Sequence, residues 1–575
     1  MDNHSLARVL HEIADILEIK GESQFRIRSY RLAAESVETS AKDVAGMVRG
    51  GLALTSLPGV GAGIAAKLAE LVQDGSCGYH RELLSEVPHG LLELLKLPGL
   101  GPKGVSLIWT RLGVGSAEDL EAAIKDGRFR TLPGMKEKKE ARIKRGLDER
   151  RAAAVRFLLP QAQAVVTRFS RFLEEQGAQR VEAVGSYRRR RETIGDIDLI
   201  VVGDGAALSA AFVGHEDVRE VLGHGAAKSS VRLSSGMQVD LRPFAPESLG
   251  AALQYFTGSK DHNVRLRERA IRRGLKLNEY GVFRVETGER MAGRTEEEVY
   301  AALGLAWIPP ELREDRGEIA LAEAGALPRL VETADIRGDL HSHTFESDGR
   351  DSLADMAAAA RGRGLAYLAV TEHSKAIPSL KRGHGLDEAR CLEHIARVRA
   401  HRTEGLRLLA GIEVDILPDG TLDLADEVLA ELDVVVASLH SRIDMERGEM
   451  TARLLRAFEN PHLDIWGHPL ARRLLKRDPV QVDLDQVLDA AARHGVAIEV
   501  NGQPERLDLP DHLMPAAKQR GLRFVISTDS HAVQQFDHLA YGVAHARRGG
   551  LTADDVLNTR GPDDFLAALR RPPAV

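Results

Sequence analysis

VGSYRRRRETIGDIDLIVV, residues 184–202, decides how the first half of the chain is read. Its end is an apolar strand pattern that opens on two carboxylates one residue apart, and side chains so spaced on a strand share a face. Asp196 and Asp198 on one face of a rigid strand can share a pair of divalent ions, which clamp the attacking and leaving oxygens of a phosphoryl transfer. That chemistry needs a third carboxylate from a neighbouring strand. Asp240 is the candidate, because residues 237–242 of GMQVDLRPF read as a short strand after a helix and a turn. Upstream, Gly185 and Ser186 begin a turn whose backbone N–H groups and hydroxyl suit a triphosphate, and Arg188 to Arg191 add positive charge.

An isolated Asp-x-Asp is usually a turn or a solvated edge. Order and spacing argue otherwise here: Gly-Ser, then Gly-Asp-x-Asp, then Asp in an apolar strand, then YFTGSKDHNVRLR over residues 255–267. The set predicts an α/β nucleotidyltransferase palm and resembles the family X DNA polymerases, the polymerase beta relatives, from the N-terminus to about residue 316. The resemblance implies that Asp196, Asp198 and Asp240 hold two Mg²⁺ or Mn²⁺ ions. It places triphosphate contacts on Ser186, Arg189 and Gly195, sugar contacts on Tyr255, Phe256 and Gly258, and sensing of the nascent pair and template on Asn263 and Arg267. The implied substrates are gapped or primer-template DNA and deoxynucleoside triphosphates, with the primer 3′ hydroxyl attacking the α-phosphate.

At 575 residues the chain is long enough for roughly three to five domains, each with its own core. No run of about 18 apolar residues and no basic-then-apolar leader occurs, so neither a membrane span nor a secretory signal is expected. Two isolated cysteines, Cys77 and Cys391, are too few for a disulfide framework and fit a reducing cytoplasm. The expected location is the cytoplasm, at the nucleoid, as a monomer. The net charge of −7 is unevenly spread: residues 1–316 carry 47 basic against 44 acidic side chains (+3), and the remainder 31 against 41 (−10). Arg128 to Arg151 alone holds ten basic and four acidic residues, enough for a phosphate-binding surface.

Residues 1–85 read as helices, with Leu6, Val9, Leu10, Ile13 and Leu17 recurring at three and four. LPGVGAGIAAKL, residues 57–68, follows. Gly59, Gly61 and Gly63 open a helix whose free N–H groups face a phosphate, as in a helix-hairpin-helix motif. LPGLGPKGVSLI repeats the pattern from Leu97, with Gly99, Gly101 and Lys103, and LPGMKEKKEARI repeats it weakly from Leu132. Three such turns predict repeated, sequence-independent grips on a DNA backbone. The domain boundaries expected are a helical DNA-binding, lyase-like region over 1–85, a helix-hairpin-helix region over 86–150, the palm over 151–245, a nucleotide-closing, thumb-like lobe over 246–316 and a linker over 317–334. In the polymerase beta relatives the first domain also removes an abasic sugar phosphate through a lysine Schiff base, and the matching position is Lys67. The family's second lysine of this motif is replaced here by Gly63, and a basic residue appears at Arg26 instead, which is expected to alter the pocket chemistry.

From residue 335 short apolar strands alternate with helical stretches seven times: DIRGDLHSH, AYLAVTEH, LLAGIEVD, VVVASLH, LDIWGH, VAIEVNG and FVISTDSH. Six of the seven end in histidines or acids, as an α/β barrel carries its active site at the carboxyl ends of its strands. The ligand candidates are His341, His343, Asp348, His373, Glu413, His440, His468, Asp529 and His531. A lone buried histidine is usually structural, but nine such groups in register point to metal. These residues resemble the PHP family of metal-dependent phosphoesterases over 335–575, implying a distorted (β/α)7 barrel. The resemblance assigns His341, His343, Glu413 and Asp529 to one ion, Glu413, His440 and His468 to a second, and Asp348, His373 and His531 to a third. Up to three Mn²⁺, Zn²⁺ or Fe²⁺ ions suit that donor set. Asn501 ends the one strand without a ligand, where it supports ligands or touches substrate.

The fusion resembles bacterial and archaeal family X polymerases with a C-terminal PHP domain. It predicts a multidomain gap-filling repair polymerase with a manganese-stimulated 3′–5′ exonuclease, and abasic-site endonuclease or 3′-end cleaning in the barrel. The alternatives are a phosphoesterase whose polymerase half only positions DNA, and a DNA-end scaffold needing neither active site.

Overall fold

The computed structural model describes residues 3–38, 40, 44–88, 90–377 and 385–569, and divides into two compact units, residues 1–154 and 155–575. No helix among the described residues is long and apolar enough to cross a membrane.

The first unit is helical. Its apolar positions gather into one buried cluster running from Leu6 to Leu147, so the expected regions 1–85 and 86–150 share a single core. Their boundary was not legible because the Pro102–Leu112 helix packs back on the first helix, Asn3–Ile19, where Ser106 Oγ donates to the Ile19 carbonyl. Each Leu-Pro-Gly forms a turn: Gly59, Gly99 and Gly134 have φ of +74°, +94° and +75°, and the helices Ala62–Asp74, Pro102–Leu112 and Glu137–Ala154 follow. A side chain at Gly59 would be strained by that φ and would also meet Leu32 Cγ at 2.6 Å. The side chains of Arg150 and Arg151, part of the expected basic surface, lie outside the described residues.

In the second unit the palm is a five-stranded sheet in the spatial order Arg180–Ala183, Asp196–Val202, Gln238–Pro243, Ser229–Leu233, Val218–Gly223. Strand alternation sorts the central residues. Ile197, Leu199 and Val201 enter the core under the helices Leu159–Glu175 and Gly205–Val213, whereas Ile200 and Val202 pack against the helix Leu249–Thr257. Asp196 and Asp198 belong to the latter face, and the parallel pairing sets Asp198 opposite Asp240.

The thumb-like lobe adds the helices Lys260–Arg272 and Glu296–Ala302 and a three-stranded antiparallel sheet over Leu275–Asn278, Gly281–Arg284 and Arg290–Ala292. At its centre Arg313 is fully buried; it donates to Glu296 Oε1 (2.6 Å) and the Ile308 carbonyl (2.9 Å) and lies over the Tyr300 ring. Glu296 also receives both guanidinium nitrogens of Arg188 from the palm, at 2.8 and 2.7 Å. Burial opposes its charge, but Arg313 and Arg188 outweigh that and hold its carboxyl at about 2.

The last segment is a seven-stranded parallel sheet whose spatial order follows the chain: Gly338–Asp339, Tyr367–His373, Arg407–Asp415, Val434–Ser438, Ile465–Trp466, Ala497–Asn501 and Phe524–Ser527. A parallel bridge between Ser342 and Ser530, with the His343 N–H donating to the Ser530 carbonyl (2.8 Å), draws the first and last strands together into a nearly closed barrel. The expected linker is folded onto both neighbours. Helix Glu318–Glu323 puts Ala322 in the thumb core and Glu318 against His262, while Val331 enters the barrel core. Its alanines and valine were apolar anchors rather than spacer. Arg472 to Glu192 (2.8 Å), Arg548 to Glu314 (3.0 Å), Arg547 to Glu311 (2.8 Å) and Arg316 to Asp511 (3.1 Å) then tie the barrel to the palm and thumb, so the two halves are folded back on one another.

Truncating one partner of a buried pair strands the other's charge. Arg313→Ala should therefore cost about 3 kcal/mol or more of stability, read as a lower denaturation midpoint of the intact chain, with Arg313→Lys intermediate.

Candidate active sites in the palm and the barrel

In the palm, Asp196 is exposed at the strand start, Asp198 half-buried and Asp240 buried. Two cations that sequence reading did not single out face them. Lys228 Nζ lies 2.5 Å from Asp240 Oδ2, and Arg242 lies 3.7 Å from Asp198 and 3.9 Å from Asp240. Arg242, two residues after Asp240, shares its face and was discoverable from alternation; Lys228 comes from the neighbouring strand's start and was not. Burial, then the charges of Asp196 and Asp240, pushes the Asp198 carboxyl up to about 6, and burial likewise raises Asp196. Gly185, at φ +66°, lets the turn approach Asp198, since an added Cβ would lie 3.3 Å from Asp198 Oδ2. Ser186 is half-buried in the single helical turn Gly185–Arg188, and Gly195 directly precedes the strand.

The arginine run does not stand free for a triphosphate. Arg188 is taken by Glu296 and Thr257, while Arg189 donates to Glu314 (3.1 Å) and to the Thr257 carbonyl. These partners lie more than 60 residues away in sequence, which is why local reading left the charge unassigned. Arg189 is nevertheless brought to the Tyr-Phe-x-Gly motif, its NH1 lying 3.0 Å from where a Gly258 side chain would begin. Asn263 Nδ2 donates to the Tyr255 carbonyl (2.6 Å) and its Oδ1 accepts from Gln254 (2.7 Å), so it braces the motif's backbone. Arg242 covers the Phe256 ring at 4.6 Å, and Arg267 is exposed.

All nine barrel candidates converge. His373 and Glu413 are register partners on adjacent strands, and His373 Nδ1 lies 2.8 Å from Glu413 Oε2. Glu413 also faces His341 (3.2 Å), His440 (3.3 Å) and His468 (2.9 Å). Three groupings have ligand atoms close enough for one ion: His343, Asp348, His373 and His531; His341, His343 and Asp529; and His373, Glu413 and His440. His468 joins through Glu413. His341 Nε2, both ring nitrogens of His343, His373 Nδ1 and Glu413 Oε2 are buried and make no hydrogen bond among the described residues. Buried polar atoms are almost always satisfied, so this donor set fits metal.

The electrostatics agree. Burial favours neutral imidazole, yet the carboxylates of Glu499, Glu413 and Asp529 hold His341 well above its ordinary value. His343 is driven down to about 3 by burial and by His531 and His373. Glu413 stays ionised far below the usual range, because the histidines outweigh its burial.

Three supporting acids were missed. Glu499 accepts from His341 Nδ1 (2.7 Å) and the His468 N–H (2.6 Å), and Asn501 bridges it to Asp529 at 3.1 Å on each side. Asp415 accepts the His440 N–H (3.0 Å), and Glu372 accepts from Thr344 and Ser347 in the loop that carries Asp348. Glu499 and Asp415 sit two residues from Asn501 and Glu413, so strand alternation carried the signal.

In the first unit Lys67 Nζ donates to the Gly63 carbonyl (3.2 Å) and lies 4.8 Å over the Tyr79 ring, whose hydroxyl accepts from Arg26 (2.6 Å). Lys67, Arg26, Gly59, Gly61 and Gly63 line one open cleft of about 690 Å³. Gly101 caps the helix that begins at Pro102 and carries Lys103.

Family models match four stretches: a helix-hairpin-helix domain over residues 1–77, a SAM-like helix-hairpin-helix tandem over 91–149, a DNA polymerase beta thumb over 252–314 and a PHP domain over 339–536. The protein named DNA polymerase/3′-5′ exonuclease PolX of Bacillus subtilis is 37% identical over 582 aligned residues, covering 99% of this chain and 100% of its own length. A protein of Thermoanaerobacter sp. named a probable phosphatase is 29% identical over 240 residues, 38% of this chain and 89% of its own length. Another so named, from Caldanaerobacter subterraneus, is 30% identical over 207 residues, 34% of this chain and 75% of its own length.

Because the Asp198 carboxyl is raised from its ordinary 3.8 to about 6, charging it opposes folding, and metal-free stability falls as pH rises through that interval. Asp198→Asn removes the penalty. The metal-free variant should exceed the wild type by about 2–3 kcal/mol above pH 6, with the gain fading below pH 4; denaturant titrations across that range measure it.

Proposed function

The chain belongs to the family X DNA polymerases that carry a C-terminal PHP domain, and from that premise we propose a gap-filling repair polymerase whose palm adds deoxynucleotides and whose barrel removes them from a 3′ end. The observation that carries this reading is the presence of two separately built centres, one of three carboxylates on adjacent parallel strands and one of nine imidazole and carboxylate groups at barrel strand ends.

Asp196, Asp198 and Asp240 would hold two Mg²⁺ or Mn²⁺ ions, and the barrel groups up to three Mn²⁺, Zn²⁺ or Fe²⁺ ions. When bound, such ions acidify a hydroxyl or water and neutralise phosphate charge. The protein's own contribution is placement. The turn at Gly185 and Ser186 offers N–H groups and a hydroxyl beside Asp198, and Gly195 leaves the strand entrance open. Tyr255, Phe256 and Gly258 flank the sugar on a backbone braced by Asn263, with exposed Arg267 reaching template. Displacement of Arg189 from Glu314 would free its guanidinium for a triphosphate. In the barrel, Glu499 takes the proton of His341 Nδ1 and leaves Nε2 aimed at Glu413 and Asp529.

The helix-hairpin-helix turns at Gly59, Gly61, Gly63, Gly99 and Gly101, with Lys103, grip gapped or primer-template DNA through its phosphates. Lys67 is the proposed Schiff-base nucleophile for an abasic sugar phosphate, its amine set between Tyr79 and the Arg26 guanidinium. The protein acts as a monomer in the cytoplasm, at the nucleoid. The phosphatase-named relatives of the barrel support 3′-phosphate removal as part of the same end-cleaning activity.

On a one-nucleotide gap with a 5′ phosphate and Mn²⁺, primers should lengthen with deoxynucleotides and shorten without them. Asp198→Ala should lower addition at least a hundredfold and leave shortening intact; His341→Ala should do the reverse. Simultaneous loss of both activities in a folded variant would contradict separate sites. Borohydride trapping on abasic DNA should disappear in Lys67→Ala, and trapping at wild-type levels would reject that assignment.

A further inference from the structure

The barrel ligands open onto a cleft of about 360 Å³ that is also lined by Arg473 and Arg506. Arg506 lies 3.5 Å from Asp529, a candidate metal ligand, and its side chain is 16% exposed. Its NH1 is buried and makes no hydrogen bond to any described residue, and Arg473 Nε is in the same condition. Leaving a buried guanidinium nitrogen without an acceptor is costly, so two such groups on one cleft mark the place of an anion.

The two arginines are held rather than floating. Arg473 and Lys476 both pair with Glu505, and the Leu474 N–H donates to the Glu505 carbonyl (2.6 Å), fastening the loop after one barrel strand to the loop after the next. Gln503 Nε2 donates to the Asp529 carbonyl (2.6 Å) and anchors the second loop to the strand that carries Asp529. Glu505 is consumed by its two cations and Asp529 faces histidines, so the remaining acceptor for Arg506 NH1 and Arg473 Nε must come from outside the protein.

We propose that Arg473 and Arg506 form a phosphate-binding subsite that receives the phosphate of the DNA 3′ end processed in the barrel; this rests on the hydrolytic reading of the barrel given above. A planar guanidinium matches phosphate geometry, and its charge gains value as negative charge grows on the phosphate oxygens during displacement.

Inorganic phosphate is the probe, titrated calorimetrically into the Mn²⁺-loaded full-length protein, with bound metal measured by elemental analysis. Arg506→Gln and Arg473→Gln should each weaken phosphate binding about 10- to 100-fold with metal content unchanged, and Arg506→Lys should fall between wild type and Gln. Unchanged phosphate affinity in both Gln variants overturns the subsite. So does loss of metal in step with loss of phosphate, which would reduce Arg506 to a support for Asp529. Failure of the hydrolytic reading shows separately, as a wild-type protein that binds phosphate but releases no nucleotide from a DNA 3′ end.

Discussion

Glu413 is buried at the end of its strand, and its two oxygens face His341, His373, His440 and His468. An ionised carboxylate in that position is sustainable only if its surroundings are cationic, by proton or by metal. The barrel is built to keep those surroundings in place. Parallel register puts His373 beside it, and Glu499 and Asp415 fix the orientations of His341 and His440 from the next shell of side chains. A fold with its functional groups on flexible loops could not confine four imidazoles about one carboxylate, because the repulsion between protonated rings would spread them.

The same constraint, charge buried beside opposite charge, joins the barrel to the rest of the second unit. Arg188 and Arg313 converge on Glu296 and lock the palm to the thumb. Arg472 stands four residues after His468 and pairs with Glu192, itself four residues before Asp196. Arg548 donates to the Arg189 carbonyl and pairs with Glu314, the partner of the Arg189 side chain. Short, well-ordered chain segments thus connect the two centres, and the geometry around Arg189 depends on a helix of the barrel.

Much of this was legible in sequence where period and register decide. Asp196 and Asp198 follow from a period of two, Asp240 from a second strand of the right pattern, and the barrel groups from their recurrence at strand ends. What escaped was non-local. The arginines 188 and 189 looked like free phosphate ligands, but Glu296 and Glu314 fold onto them from more than 100 residues away. The 85/86 division failed because a helix beyond it completes the core before it, and the 317–334 segment hid its anchors among alanines. Glu499 and Asp415 were readable by alternation and were passed over because attention stopped at the strand-end residue.

The donor sets of the two centres differ in kind. The palm offers oxygen only, from Asp196, Asp198 and Asp240, with Lys228 and Arg242 beside them. Oxygen ligands with room for water and substrate phosphates suit a hard ion such as Mg²⁺. The barrel offers six imidazoles and three carboxylates, a set that favours Mn²⁺, Fe²⁺ or Zn²⁺ over Mg²⁺. Under the proposed function, synthesis and removal of a 3′ nucleotide therefore draw on different metal pools although they share one chain and one DNA end. Mn²⁺ is the ion acceptable to both, and the balance between extension and shortening is set by which ions occupy the barrel as well as by the supply of deoxynucleotides.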